Sequence, residues 1–337
     1  DFILFFTMSE EFLYTYAKDS GDFVSNNTVV DRIIAEGGTP NPFLGGQDHY
    51  SIFAEAANLA NGSIMTDYDE KMNSLWSDFV TTPYSKGEMD LEALLAAAPD
   101  VVIDIGEPKK TTADDLTALT EQTGIPFIHI DATVATAPEA YRTLGKLLNR
   151  EEKAEELATW CEDTYAMIAA MMEKVDGSGA RKTLLYCLGD KGVNAIAKGS
   201  FHAETINFMS DNLAVVEEVV SSGAGNEVDL EQILLWNPDV IIFAPDSCYD
   251  DIASSEQWQS IGAVVRGDYY KTPSGPYGWL SSPPAVQRYL GMLWLGELLY
   301  PEYTQYDLQT EVTEYYKLFY GCELTDEMYQ NLIADSH

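Results

Sequence analysis

Hydrophobic and polar positions along the chain alternate between two periods. In Asp90-Leu91-Glu92-Ala93-Leu94-Leu95 the leucines recur at helical spacing behind a residue able to cap a helix, and Pro99-Asp100 breaks that period ahead of the β-branched run Val101-Val102-Ile103. The same phrase returns 139 positions later as Asp229-Leu230-Glu231-Gln232-Ile233-Leu234, then Pro238-Asp239-Val240-Ile241-Ile242. Each copy reads as a short helix followed by a buried strand. Further units obey the same grammar. Ala113 to Thr123 predicts a helix closed by Gly124, and Pro126-Phe127-Ile128-His129-Ile130 the next strand. The second half predicts an opening strand from Thr183 to Leu188, a helix near Ala203 to Met209, and strands around Val215 to Val220 and Val240 to Phe243. Phe2 to Phe6 reads equally as an edge strand or a loosely packed terminus.

Between the two halves, Glu151 to Val175 contains neither Gly nor Pro, and Leu157, Cys161, Thr164, Ile168, Met171 and Val175 share one helical face. At about 1.5 Å per residue this helix runs on the order of 38 Å. The breaker-rich Asp176-Gly177-Ser178-Gly179 ends it. The expected architecture is α/β: two Rossmann-like lobes with parallel-rich sheets, joined by one long α-helix, with a ligand cleft between the lobes. The amino-terminal lobe spans residues 1–150, the connecting helix 151–176 and the carboxy-terminal lobe 177–337. A single stiff connector is expected to restrict lobe closure to small angles.

With 46% hydrophobic and 22% charged residues, the 337-residue chain can bury a substantial core and is not a disordered one. Lys and Arg number 19 against 55 Asp and Glu, a net charge of −36, which argues against nucleic acid or an anionic membrane surface as partner. An anionic ligand would have to be held by a few locally placed cations, so each candidate Lys or Arg is informative. Cys161, Cys187, Cys248 and Cys322 show no CxxC spacing and read as buried free thiols rather than a zinc site or disulfide framework. No apolar run reaches the roughly 18 residues needed to span a bilayer. No GxGxxG follows a strand, and GxxxxGK[ST], HExxH and GxSxG do not occur, so an enzymatic reading lacks its chemistry.

The repeated pattern, the long helix, Gly106-Glu107-Pro108-Lys109-Lys110-Thr111, Lys198-Gly199-Ser200-Phe201-His202-Ala203-Glu204, and the run from Gly275-Pro276-Tyr277-Gly278-Trp279 through Pro283-Pro284 and Arg288 to Glu302 occur in a consistent order. Together, over roughly residues 20 to 325, they resemble the periplasmic-binding-protein family that serves iron-siderophore, haem and cobalamin importers. The last run looks like the iron-complex subgroup of Gram-positive bacteria, in which a lipid tethers the protein to the membrane. Residues Gly37 to Tyr50 depart from the family pattern. The resemblance implies a substrate-binding protein of an ABC importer, not an enzyme, without a cofactor of its own. It implies a monomer at the extracellular face of the cytoplasmic membrane or in the periplasm, attached only through a lipid anchor lying outside this sequence. Its ligand is expected to be a ferric siderophore or similar iron complex. Haem or cobalamin is the alternative within the family, and a nitrogenase- or chelatase-like α/β enzyme the more distant one. The family also implies docking on an ABC permease dimer through Glu92 and Glu231. Read by themselves, both are equally ordinary first-turn residues suited to the positive end of a helix.

In doubly wound sheets, ligands lie outside the carboxyl ends of the strands, so the loops that follow them are candidates. That criterion selects Glu107, Lys109 and Lys110 after the Val101 to Ile105 strand and Lys191 after Leu184 to Leu188. It also selects Tyr277 and Trp279 in a Gly/Pro-rich loop before the helix carrying Arg288, with Trp76 and Tyr84 approaching from the amino-terminal lobe. Aromatic rings can cover the organic part of a chelate while Lys and Arg pair with its carboxylates or metal-bound oxygens. Lys109 and Lys110 as solvated loop lysines, and Arg288 as a buried structural bond to a lobe carboxylate, remain open. Histidines are four: His49, His129, His202 and His337. His129 lies in an apolar strand and reads as core. His202 is a pocket candidate or a capping residue, and with Tyr84 is the candidate axial ligand in the haem alternative. So few histidines imply a metal that arrives already chelated.

Overall fold

The structure is a computed structural model that describes residues 2–5, 84–85, 88–89, 91–97, 101–148, 151–220, 223–275, 278–281, 284, 286–320, 324–334 and 336. Its packing divides into two units. One gathers the described residues up to Glu162 with those of Thr313–Met328, and the other those of Asp163–Val312 with those of Tyr329–His337.

The first unit is built on a parallel three-stranded sheet. Strand β1 (Phe2–Phe5) pairs with the strand Val101–Gly106, which pairs with Phe127–Asp131. Of the two readings of the amino terminus, the edge strand is the one found. A two-residue hairpin, β2 (Tyr84–Ser85) and β3 (Glu88–Met89), precedes helix α1 (Leu91–Ala97). Strand β4 (Val101–Gly106), helix α2 (Thr112–Thr123) and strand β5 (Phe127–Asp131) follow, then α3 (Ala137–Leu148). Gly124 closes α2 as expected, in the left-handed conformation with φ 73° and its N–H on the Thr120 carbonyl. Leu94, Val102, Ile125 and Phe127 form the core at this end of the sheet, with Leu91, Leu116 and Leu119 packed against them. A second apolar layer joins Tyr141 of α3, Trp160, Tyr315 and Phe319, with the Tyr315 and Phe319 rings stacked at 4.5 Å.

The expected long helix is present as α4 (Glu151–Ser178), 28 residues long and therefore about 42 Å. All six residues assigned to its apolar face, from Leu157 to Val175, are buried. It continues through Asp176 and Gly177 and ends only where Gly179 turns to φ 72°, because a glycine inside a helix weakens it without stopping it. The boundary between the two packing units falls inside this helix, between Glu162 and Asp163.

The second unit carries β6 (Thr183–Leu188), β7 (Asn194–Ala195), a 3₁₀ turn at Phe201–Ala203, α5 (Glu204–Met209), β8 (Asp211–Asn212) and β9 (Asn226–Glu227). The repeat's second copy follows as α6 (Leu230–Trp236) and β10 (Val240–Phe243). Then come α7 (Tyr249–Ile252), α8 (Gly262–Arg266), β11 (Tyr269–Lys271) and α9 (Arg288–Leu299), while α10 (Leu308–Tyr320) passes into the first unit after Val312 and α11 (Asp326–Leu332) returns to the second after Met328. The sheet runs β11-β10-β6-β7-β9, with β8 beside β6. Its β11, β10, β6 and β8 are parallel, and β7 is antiparallel to both neighbours.

Asp229 caps α6 by accepting from the Gln232 N–H at 2.7 Å, and Asn237 ends it in the left-handed region at φ 46°, so the Asn-Pro-Asp break acts as read. Asp239 then accepts from both the N–H and the hydroxyl of Thr183 at 2.9 and 2.8 Å, tying the start of β10 to the start of β6. Although burial opposes ionisation, these Thr183 hydrogen bonds hold the Asp239 carboxyl below its ordinary value. The strand expected around Val215 to Val220 is absent from that segment: the chain there makes no ladder, and Val215, Val219 and Val220 face outward. Its place beside β6 is taken by Asp211–Asn212. A β-branched run without a partner on either face has nothing to bury and gains little from strand geometry.

Candidate ligand and docking residues

Loops at the carboxyl ends of parallel strands carry most of the charged candidates. After β4, Glu107, Lys109 and Lys110 are exposed, and the Lys109 N–H is bonded to the Thr112 hydroxyl at the entrance to α2. After β6, Gly189 takes φ 77° and turns the chain into Asp190 and Lys191, both exposed. These placements are those required of ligand-facing loops, and they are equally those of solvated lysines. Trp76 and Tyr277 lie outside the described residues, and Tyr84 is described only as part of its two-residue strand. Glu92 and Glu231 are exposed on the first turns of α1 and α6.

Three of the other candidates meet in the second unit. Ser200 caps the 3₁₀ turn, its hydroxyl accepting from the His202 N–H at 3.2 Å. Beyond it, α5 packs on α9, which brings Glu204 to Arg288. The two side chains form an ion pair through Oε2 and Nη1, with Arg288 only 3% exposed. The guanidinium also lies over the Phe201 ring, 4.8 Å from its centroid. Arg288 thus occupies the buried structural bond left open by the sequence, and its charge is committed within the lobe.

His202 donates from Nδ1 to the Ser281 carbonyl at 3.0 Å, which leaves the Nε2 lone pair as the ring's acceptor. Burial, with the nearby Arg288 charge, pushes the His202 pKa down, so the ring is neutral at pH 7. Trp279 is 0% exposed. Its backbone N–H donates to the Pro273 carbonyl at 3.0 Å, and α9 approaches so closely that a Cβ on Gly291 would lie 2.3 Å from the Trp279 carbonyl oxygen. The ring expected to cover a ligand is therefore packed inside the lobe. The indole Nε1, with the hydroxyls of Thr205 and Ser281, is buried without a hydrogen-bond partner among the described residues.

Two features escaped the sequence reading. Glu204 as the Arg288 partner lies 84 positions away, and only the α5–α9 packing brings it there. His129 is not plain core: its Nδ1 is 2.8 Å from Asp104, the residue in register with it on β4, so a polar pair sits within two apolar strands. The lone Asp in Val101-Val102-Ile103-Asp104-Ile105 and the lone His in Phe127-Ile128-His129-Ile130 were the visible signal. Cys161, Cys187 and Cys248 are buried and outside any disulfide as expected, with burial pushing both Cys187 and Cys248 up, and Cys322 lies outside the described residues. Among the described residues, no helix is long and apolar enough to cross a membrane.

A family model described as periplasmic binding protein matches residues 61–276. Among solved structures, the chain is similar to an ABC transporter solute-binding protein from Sulfurospirillum deleyianum. That match is 27% identical with a TM-score of 0.68, covering 74% of this chain and 77% of that one. A periplasmic solute-binding protein from Veillonella parvula is 24% identical over 93% of this chain and 91% of that one, with a TM-score of 0.62. The molybdate periplasmic binding protein MolA of a Haemophilus influenzae ABC transporter, bound to molybdate, is 18% identical with a TM-score of 0.57, covering 82% and 92%. The last two likenesses, under 25% identity, speak for the fold alone. A search of curated proteins gives no significant match.

Proposed function

The chain belongs to the periplasmic binding protein family, whose members deliver small-molecule ligands to an ABC permease, and on that premise we propose that its cargo is a chelated metal, a ferric siderophore or similar iron complex. The observation that carries the reading is the placement of scarce cations. In a chain with 19 Lys and Arg against 55 Asp and Glu, Lys109 and Lys110 follow parallel strand β4 and Lys191 follows parallel strand β6, all three exposed. Such positions suit an anionic chelate that the overall field of the protein would otherwise repel. Arg288 and Trp279 act in this reading as supports, one pinning α5 to α9 and the other fixing the loop ahead of α9. Delivery runs through Glu92 and Glu231, whose carboxylates pair with basic side chains of a permease dimer. The protein works as a monomer, tethered by a lipid in the manner of the Gram-positive iron-complex subgroup.

A second reading, haem as cargo, is favoured by His202, whose neutral ring offers Nε2 because Nδ1 is spoken for by Ser281. Intrinsic tryptophan fluorescence separates the readings. The chain is titrated with a ferric catecholate, a ferric hydroxamate, ferric citrate, haem, cobalamin and molybdate. Saturable quenching by one of the ferric chelates, weakened in Lys109→Ala/Lys110→Ala and in Lys191→Ala, is the expected result. A response to haem alone, lost in His202→Ala, replaces the first reading with the second, and a response to molybdate alone rejects both.

A further inference from the structure

The two copies of the repeat share a pattern of exposure as well as a motif. In α1, Leu94 is buried and Leu91 half-buried, while Glu92 and Leu95 are exposed. In α6, 139 positions on, Ile233 is buried and Leu230 half-buried, while Glu231 and Leu234 are exposed. Leu95 leaves 49% of its surface open and Leu234 leaves 47%. Residues three apart on a helix share a face, so each lobe displays a carboxylate with an uncovered leucine one turn behind it. A single exposed leucine on a protein surface is ordinary. The same leucine beside the same carboxylate on both lobes is a matched pair, and the core positions of each helix are already filled by Leu94 and Ile233.

We propose that Leu95 and Leu234 are the apolar halves of two equivalent docking spots, received by the permease on two like seats, each a basic side chain beside an apolar depression. The proposal rests on the delivery reading, which assigns Glu92 and Glu231 to the same partner. Exposed carboxylates steer an encounter and set its orientation but add little affinity by themselves. Burial of a leucine supplies attraction that salt does not screen. The two kinds of group are therefore complementary: the glutamates govern arrival and the leucines residence. A matched pair of spots calls for a partner that presents one surface twice, as a dimer of identical permease subunits does. A second copy of this chain is a poor occupant, because it would set exposed carboxylates against each other in a molecule of net charge −36.

The test is binding to the cognate permease reconstituted in lipid nanodiscs, followed by interferometry at low and high salt. Wild type is compared with Leu95→Ala/Leu234→Ala and with Glu92→Gln/Glu231→Gln, and thermal midpoints verify that all three are equally folded. The leucine pair is expected to weaken binding by about tenfold to a hundredfold, through faster dissociation, at both salt concentrations. The glutamate pair is expected to slow association, mainly at low salt. A leucine pair that binds like wild type while the glutamate pair is impaired overturns this proposal and leaves the delivery reading standing. Both pairs binding like wild type overturns the two together.

Discussion

Arg288 carries its charge at 3% exposure, and such a charge survives only with its partners in place. Glu204 and the face of Phe201 are two of those partners. Truncating Arg288→Ala removes the cation paired with a half-buried carboxylate and the guanidinium packed on Phe201, so urea unfolding should show a loss of about 3–5 kcal/mol. An Arg288→Met/Glu204→Gln double variant should recover much of that loss, since it removes the stranded charge and keeps the volume. His202 makes a pH-dependent contribution whose sign follows from its lowered pKa. The unfolded ring takes up a proton near pH 6.5, and the folded ring only at lower pH. The unfolded state therefore binds more protons in that window, and the His202 contribution, whole above pH 6.5, is lost on acidification below it. His202→Asn, which can still donate to Ser281, should flatten the slope of stability against pH below about 6.5 in the same urea titrations.

At the scale of elements, caps and clamps set the boundaries. Asp229→Ala removes the acceptor for the Gln232 N–H and should cost about 1 kcal/mol, read as a lowered thermal midpoint with unchanged far-ultraviolet dichroism. Gly291→Ala should cost more, about 1–3 kcal/mol, because its methyl would collide with the Trp279 carbonyl and push α9 off the loop beneath it. Strands β6 and β10 were legible to the residue, since strands covered on both faces read as unbroken apolar runs. Helix α4 was legible because its apolar face, Leu157 to Val175, repeats over about five turns. The run from Val215 to Val220 misled because strand propensity without burial does not make a strand. The two-residue strands β7, β8 and β9 are too short to leave a period in the sequence. Among the candidate site residues, the charged loops could be read because a strand's end announces the loop that follows it. The burial of Trp279 and the pairing of Arg288 with Glu204 could not, because each depends on packing between segments distant in sequence.

At the scale of the whole molecule, the duplicated αβ unit and the continuous helix α4 are what made the family visible, and the acidic surface is what colours its behaviour. A net charge of −36 repels itself, so raising salt from low ionic strength to the physiological range should raise the thermal midpoint, whereas a falling midpoint would mean that attractive ion pairs outweigh the repulsion. If the cargo is the anionic chelate proposed above, the same field makes its capture depend on the few cations at the strand ends. Calorimetric titration with the preferred ferric chelate, the same chelator without iron, and ferric ion alone tests this most directly. One chelate bound per chain, with the iron-free chelator weaker by about tenfold or more, is the predicted result. Equal binding of the iron-free chelator, or binding of ferric ion alone, would contradict it.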